Sequence, residues 1–385
     1  MKNNSIHIVF AGGGTGGHLF PGLAVAERLA ATIPRVRISF CGSGKTFERE
    51  HVSRAGFDYF ALPSRPLPHG VREAVAFVVA NLAGYLAAGR FLRRDRVAAV
   101  VGLGGYASVP LGRAAARHGL PLVLLEQNVV PGRATRWLGR RATLICTAFE
   151  ATSSWLRCRC PVRVTGNPLR RGFQRRRCQA TLTLTLSQGE RGPARQLLVL
   201  GGSSGAQSLN ENLPRALYKV RPQLTGWRIV HQAGQSEVDS TRALYGKLAL
   251  EATVVPFVND MPQVLAATDL AICRAGGTTL AELAATGVPA VLLPYPHATD
   301  LHQAANARHF AAAGGCITID PREVTGRLDG QLAEVVRTVL SSDGLRQRMS
   351  AAMYRLARPN AADDVAELIW SIVSSRSHET APAAA

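Results

Sequence analysis

Residues Ala11 to Gly22 read AGGGTGGHLFPG. Five of the six positions from 12 to 17 are glycine, the sixth is Thr15, and His18 follows at once. Glycines let backbone N–H groups approach phosphate oxygens, and a helix start adds a favourable dipole. A histidine there has a resting pKa suited to moving a proton near neutrality. Gly12, Gly14 and Gly17 also fit the G-x-G-x-x-G spacing of dinucleotide sites, which expects an acid after the second strand to hold a ribose hydroxyl. That strand reads VRISFC and ends at Cys41–Gly42 without one; the nearest acids are Glu48 and Glu50. This argues against a nicotinamide cofactor. Gly44-Lys45-Thr46 mimics the end of a P-loop, but the first glycine of that pattern would fall at Ser39, so it reads as a strand-to-helix turn.

Positioning such loops requires strands and helices in alternation. Apolar runs IHIVF, VRISFC, DYFAL, VAAVVGL, LPLVLLE, TLICTA and VRVTG are separated mostly by helical patterns. The pattern restarts at QLLVLGGSSGAQSLNENL and continues through WRIVHQAG, ATVVPFV, DLAICRAGG and PAVLLPYP. The expectation is an α/β protein of two Rossmann-like doubly wound domains facing a cleft, with the join near Gly166–Arg171. Such sheets bind ligands at the carboxyl ends of their strands. Four glycine turns should open there, at 12–17, 102–105, 201–205 and 276–277. One such turn alone would signify tight packing; four in register on both halves point to phosphate. A polar, basic stretch at about 173–196 reads as a linker or insertion, and 376–385 as a disordered tail.

The chain has 385 residues and a formal charge of +19, unevenly spread. Residues 1–166 carry 22 Lys and Arg against 8 Asp and Glu; the remainder carries 23 against 18. The first half should therefore meet an anionic partner, although arginine also simply solubilises a chain. No nucleic acid is expected, because aromatics do not interleave the basic runs except Phe173 in RRGFQRRR. The seven cysteines include C-x-C at 158–160 but no C-x-x-C pair, which suits reduced thiols in a cytosol. No Asp-x-Asp pair or Cys/His cluster stands at a glycine turn, so neither metal nor other cofactor is expected. The N-terminal apolar run is too short for a signal peptide, and no apolar stretch reaches the roughly 20 residues of a spanning helix.

Several blocks taken together resemble the MurG family: GGTGGHLFPGLAVA at 13–26, GLGGYAS at 102–108, EQN at 126–128, GNPLR at 166–170, GGSSGAQSLN at 201–210 and CRAGGTTLAEL at 273–283. The resemblance runs from about residue 6 to 370. It implies a GT-B type inverting glycosyltransferase that moves N-acetylglucosamine from UDP-N-acetylglucosamine to undecaprenyl-linked lipid I, making lipid II for peptidoglycan. It also implies an acceptor domain over 1–166, a nucleotide-sugar domain over 167–357, and a final helix at about 358–375 packing back on the first domain. The implied place is the cytoplasmic face of the cell membrane, as a peripheral protein beside other cell-wall synthesis proteins. A related transferase using diacylglycerol as acceptor is the alternative; it would not need a diphosphate cradle at Thr15–Gly17. The sequence departs from the family pattern at Leu125, where His is frequent, at Ser204, where Gln is usual, and in the length of 173–196.

By position, the resemblance implies the following roles. Glu282 accepts from the ribose hydroxyls of UDP, or is merely an acid favoured in the first turns of a helix. Gly277, Thr278 and Thr279 face the diphosphate, with Leu280 and Ala281 completing the donor block. Ser203 and Arg170 contact phosphate, the Val258 backbone pairs with uracil, and Asn128 and Gln303 hold the sugar, with His302 adjacent. Thr15, Gly16 and Gly17 meet the acceptor diphosphate and border the donor, beside Tyr106 and Ser108. His18 is the candidate general base, or alternatively a helix-end residue binding phosphate; Glu126 is its rival or its partner. For membrane docking the candidate is Val71–Arg96, where Val75, Val79 and Leu82 recur at helical spacing and Arg90, Arg93 and Arg94 follow. The competing possibility is that this apolar face packs on the first sheet.

Overall fold

A computed structural model describes residues 6–68, 70–174, 195–202, 205–296 and 298–379. The described chain forms two compact units, one of residues 1–170 with 358–385 and the other of 171–357.

In the first unit all seven apolar runs become parallel strands: β1 (His7–Gly12), β2 (Arg37–Gly42), β3 (Asp58–Ala61), β4 (Val97–Gly104), β5 (Leu122–Glu126), β6 (Leu144–Thr147) and β7 (Val162–Val164). Their order is β3-β2-β1-β4-β5-β6-β7. The connecting helices are α1 (Gly16–Thr32), α2 (Thr46–Arg54), α3 (Val71–Arg94), α4 (Val109–Arg117) and α5 (Arg133–Leu138). Side chains alternate across a strand. Accordingly Ile8 and Phe10 join a core with Leu19, Leu23 and Leu29 on one face, while Val9 and Ala11 join Ala88, Leu92 and Leu111 on the other. Both faces are covered, which is why these strands read as continuous apolar runs.

The second unit holds β8 (Arg195–Leu200), β9 (Trp227–Gln232), β10 (Thr253–Val255), β11 (Leu270–Cys273), β12 (Ala290–Leu292) and β13 (Cys316–Thr318), all parallel in the order β10-β9-β8-β11-β12-β13. Its helices are α6 (Arg171–Gln174), α7 (Gln207–Lys219), α8 (Val238–Lys247), α9 (Met261–Ala266), α10 (Gly277–Thr286), α11 (His302–Ala312), α12 (Leu328–Leu340) and α13 (Asp343–Leu356). The sequence reading has no strand at β13, although the equally short β7, β10 and β12 lie within runs that it does read.

The last helix, α14 (Ala361–Glu379), belongs to the first unit. Its Val365, Ala366, Ile369 and Val373 enter the core beside Ile8 and Phe10, and Asp363 pairs with Arg28 at 3.2 Å. It runs past the expected start of a disordered tail at 376. Nothing in Ser374 to Glu379 breaks a helix, and Arg376 Nη1 donates to the Gly119 carbonyl at 2.6 Å. The expected insertion lies largely outside the described residues.

Helix α3 corrects a second expectation. It spans 24 residues and is long and apolar enough, by length and composition alone, to cross a membrane. It is nonetheless built into the first unit through a small-residue side, where Gly84, Ala88, Gly89 and Leu92 are buried. A Cβ at Gly84 would sit 2.0 Å from the Pro63 carbonyl oxygen, so the helix lies directly on that backbone.

Candidate active site

Each sheet reverses its strand order once, between β1 and β4 in the first unit and between β8 and β11 in the second. Such switch points open a crevice at the carboxyl ends of the strands. All four glycine turns fall there, two per unit.

In the first unit Gly12 lies beside Gly104 across the β1–β4 pair. Thr15 is the N-cap of α1 but makes no capping bond; its Oγ1 lies 3.2 Å from His18 Nδ1. The imidazole rests against the second turn. A Cβ at Gly104 would come within 2.9 Å of His18 Cδ2 and 3.2 Å of Nε2. Gly104 also has φ +95°, a region that side chains avoid. This turn therefore makes room for a histidine. Gln127 borders the same spot, and its Nε2 reaches the Leu103 and Leu125 carbonyls at 3.4 and 3.3 Å. Tyr106 and Ser108 form a 3-10 turn after β4; Ser108 is buried and its hydroxyl donates to the Gly105 carbonyl at 2.8 Å. Exposed Thr15 and Gly17 flank buried Gly16.

The sequence reading missed Glu48. It is fully buried in the first turn of α2, and its carboxylate accepts from the N–H groups of Gly14, Ser43 and Gly44, the Ser43 hydroxyl and the Tyr59 hydroxyl. Burial, then the bond to Glu48, pushes the Tyr59 phenol up. Lys45 Nζ reaches the Gly14 carbonyl from outside at 3.2 Å. The acid noted only as too far along for a ribose site thus fixes the glycine loop itself.

Glu126 ends β5 and is 5 % exposed. Its carboxylate accepts from Asn128 N at 3.1 Å, Asn128 Nδ2 at 3.2 Å, Gly132 N at 3.0 Å and the Thr135 hydroxyl. Burial raises its pKa, while these donors pull it down. Glu126 shapes the loop that carries Asn128 into α5. Arg170 closes the first unit, its guanidinium 4.3 Å above the ring of Phe20, two residues beyond His18.

In the second unit Gly276 caps α10, and Gly277, Thr278, Thr279, Leu280, Ala281 and Glu282 form its first turns. Glu282 is 6 % exposed, close to the positive helix end. Arg274 holds the turn: Nη1 donates to the Leu293 and Pro294 carbonyls at 3.0 and 3.2 Å, and Nη2 to Ser208 Oγ at 2.7 Å. Its own pKa is lowered by burial. Asn306 fastens the Ala275 carbonyl at 3.0 Å. Val258 is buried and its N–H donates to Gln232 Oε1 at 2.9 Å, while Gln232 Nε2 donates to the Gly202 carbonyl at 2.8 Å. Gln232, at the end of β9, joins two loops that the sequence reading treated apart. Asp300 and Leu301 are both left-handed, at φ 52° and 55°, directly before His302 and Gln303. Strain of this kind collects at ligand clamps. Gln303 Oε1 accepts from Tyr295 N at 2.9 Å. Ser203 lies outside the described residues.

Comparison with known proteins follows the same division. The glycosyltransferase family 28 N-terminal domain matches residues 8–147 and the family 28 C-terminal domain matches 196–367. A protein of Methylococcus capsulatus named UDP-N-acetylglucosamine–N-acetylmuramyl-(pentapeptide) pyrophosphoryl-undecaprenol N-acetylglucosamine transferase is 39% identical over 94% of this chain and 97% of its own length. A protein of the same name from Myxococcus xanthus is 34% identical over 94% of this chain and 91% of its own. Among solved structures, MurG of Acinetobacter baumannii superposes with a TM-score of 0.72 at 32% identity, covering 95% of this chain and 99% of that one. The calicheamicin glycosyltransferase CalG4 gives 0.65 at 18% identity over 96% and 99%, a likeness of fold alone.

Proposed function

The chain belongs to the MurG family of glycosyltransferase family 28, and on that membership we propose how its residues divide the work. It transfers N-acetylglucosamine from UDP-N-acetylglucosamine to the N-acetylmuramyl group of lipid I, forming lipid II in peptidoglycan synthesis. A hydroxyl oxygen of the acceptor attacks the anomeric carbon, the bond from that carbon to the UDP phosphate oxygen breaks, and the hydroxyl proton passes to a base.

His18 is that base. The observation that carries this reading is the placement of its ring between Thr15 Oγ1 and the side-chain-free Gly104, at the switch point of the first sheet. With Nδ1–H donating to Thr15, Nε2 presents the lone pair that takes the proton. Glu126 is a positioning residue, since its oxygens already hold Asn128, Gly132 and Thr135. The N-terminus of α1, with Thr15, Gly16 and Gly17, receives the acceptor diphosphate, and Tyr106 lines its side. Glu282 accepts from the ribose hydroxyls. Val258 serves uracil through its carbonyl, because its N–H is engaged by Gln232. The N-terminus of α10 with Thr278 and Thr279 supports the departing diphosphate and Gln303 holds the sugar, while Arg170 and Asn128 are the donor contacts proposed for the first unit.

The acceptor is a membrane lipid, and α3 is the docking element. Val75, Val78, Val79 and Leu82 are 68, 58, 61 and 54% exposed. Exposed Arg90, Arg93 and Arg94 follow on the same helix. An apolar stripe ending in cations suits the surface of an anionic leaflet. The chain works as a peripheral protein on the cytoplasmic face. The deciding assay follows label from UDP-N-acetylglucosamine into a short-chain lipid I analogue or into diacylglycerol. Incorporation into lipid I alone is the expected result; incorporation only into diacylglycerol overturns the proposal.

A further inference from the structure

The apolar stripe of α3 does not end in open solvent. Its last member, Leu86, is 49% exposed and forms one wall of a cavity of about 330 Å³ between α3 and the end of α4. The other walls are Tyr85, Gly89, Arg93, Arg117 and His118. The lining holds two arginines and a histidine but no acid. Among the described residues neither Arg93 nor Arg117 has a carboxylate partner, whereas neighbouring Arg94 is paired with Asp95 at 2.9 Å. Gly89 admits the His118 ring to the cavity: a Cβ there would stand 3.1 Å from Nε2.

We propose that this cavity is a discrete binding site for the phosphate of one anionic phospholipid headgroup, with the acyl chains leaving along Leu86, Leu82 and Val79. The proposal rests on the reading of α3 as the docking element and adds a defined place to a diffuse attraction. Three observations support it. The cations converge on a concave site rather than spreading over a face. Tyr85 and His118 on the lining are residue types whose hydroxyl and ring nitrogens can serve as directional partners for phosphate oxygens. The site is continuous with an exposed apolar stripe, so a molecule with one anionic end and one apolar end is satisfied along its whole length. A free anion would use only the cavity, and a soluble apolar ligand only the stripe. Arg117 and His118 also stand at the end of α4, where cations favour the helix dipole. If they only cap that helix, their loss will lower stability and leave lipid binding alone.

The test uses the full chain and dihexanoyl-phosphatidylglycerol below its micelle concentration, with His118 ring resonances as the reporter. Saturable binding that shifts those resonances is expected. R93Q/R117Q should weaken it about thirtyfold, roughly a factor of five for each arginine near an anionic headgroup. R90Q/R94Q, which removes equal charge outside the cavity, should leave it within about a factor of two. Inorganic phosphate should bind at least about tenfold more weakly, since it forgoes the stripe. Unmoved His118 resonances in the parent chain, or unchanged affinity in R93Q/R117Q, would overturn the site without any variant needing to be catalytically competent. Equal affinity for inorganic phosphate would overturn the lipid as its source. Phosphatidylglycerol vesicles separate the two levels. Vesicle binding without His118 perturbation leaves the docking helix standing and removes the cavity site; absence of vesicle binding removes both.

Discussion

At the scale of single residues, two groups of the first unit separate in role by their partners. His18 Nδ1 lies 3.2 Å from Thr15 Oγ1, and its ring lies against Gly104, where a side chain would crowd it. Its removal, His18→Ala, should lower kcat about 100- to 10,000-fold, as for a lost general base, with donor affinity unchanged. A fall of less than about tenfold would shift the role elsewhere. Glu48 meets only protein. Glu48→Ala strands buried donors, so it should cost about 1–3 kcal/mol in unfolding free energy and raise the KM for the lipid acceptor more than that for the donor. Equal change in both KM values would mean that Glu48 supports the unit without tuning the loop. In the second unit Glu282→Ala should weaken UDP-N-acetylglucosamine by about 1.5–3 kcal/mol, the usual range for hydrogen bonds to a charged group; calorimetry showing an unaltered Kd contradicts the ribose assignment. His18 and Glu282 could be singled out from the sequence because each sits in a short motif at the mouth of a helix, which the structure forms at both places. Glu48 and Gln232 could not, because a buried acceptor that serves loops distant in sequence leaves no periodic or spaced signature. It becomes visible only once strands β2 and β3, or β8 and β9, are laid side by side.

Elements are joined by similar buried pairs, and one of them gives a pH dependence. His231 on β9 is fully buried; Nδ1 lies 3.0 Å from the Tyr245 hydroxyl on α8 and Nε2 3.0 Å from Asn210 Oδ1 on α7. Burial lowers its pKa from 6.5 to about 4. The unfolded chain therefore binds a proton more readily than the native one below the ordinary histidine value. The stabilisation is fully present above about pH 6.5 and is lost as the pH falls through 4, amounting to roughly 3 kcal/mol by the lower limit. Urea unfolding of the parent and of His231→Gln between pH 7 and 4 should show a slope in the parent that is reduced in the variant; parallel curves would exclude His231 as its source. The elements themselves were largely readable from the chain. Continuous apolar runs between helical patterns gave seven parallel strands in one unit and five of six in the other. The three-residue β13 escaped because only Cys316, Ile317 and Ile319 mark it between Gly315 and Asp320, whereas β10 and β12, equally short, lie in the longer runs ATVVPFV and PAVLLPYP. Helix α3 shows a different limit. Periodicity placed Val75, Val79 and Leu82 on one face, but two faces were available for packing. The buried side is the one with Gly84, Ala88 and Gly89, where small residues admit close backbone approach, and the larger apolar stripe is left outward.

The whole molecule is charged asymmetrically, with residues 1–166 carrying most of the excess of Lys and Arg, and that asymmetry matters only if a surface reads it. The exposed face of α3 supplies both terms of such a reading, and the two can be separated. Full burial of a Val or Leu side chain is worth about 1.5–3 kcal/mol. Half-exposed side chains entering an interface gain part of that, so replacing Val75, Val79 and Leu82 together with Asp should weaken vesicle binding by roughly 30- to 1,000-fold. The apolar part of this loss should persist at high salt; only the repulsion added by the three carboxylates is screened. Changing Arg90, Arg93 and Arg94 to Glu removes an attraction of about 1 kcal/mol per cation near an anionic leaflet. Arg94 should contribute least, because Asp95 already engages it. That variant should differ from the parent at low ionic strength and converge with it as the Debye length shrinks to about 3 Å near 1 M salt. Both variants should retain the parent's affinity for UDP-N-acetylglucosamine, whose proposed contacts include no residue of α3. Both should also lose transfer to lipid I in vesicles while keeping it towards a detergent-free short-chain analogue. Flotation with phosphatidylglycerol vesicles across a salt series, run beside the two transfer assays, distinguishes the terms. If the aspartate triple variant floats like the parent, α3 is not the docking surface, whatever the arginine variant does.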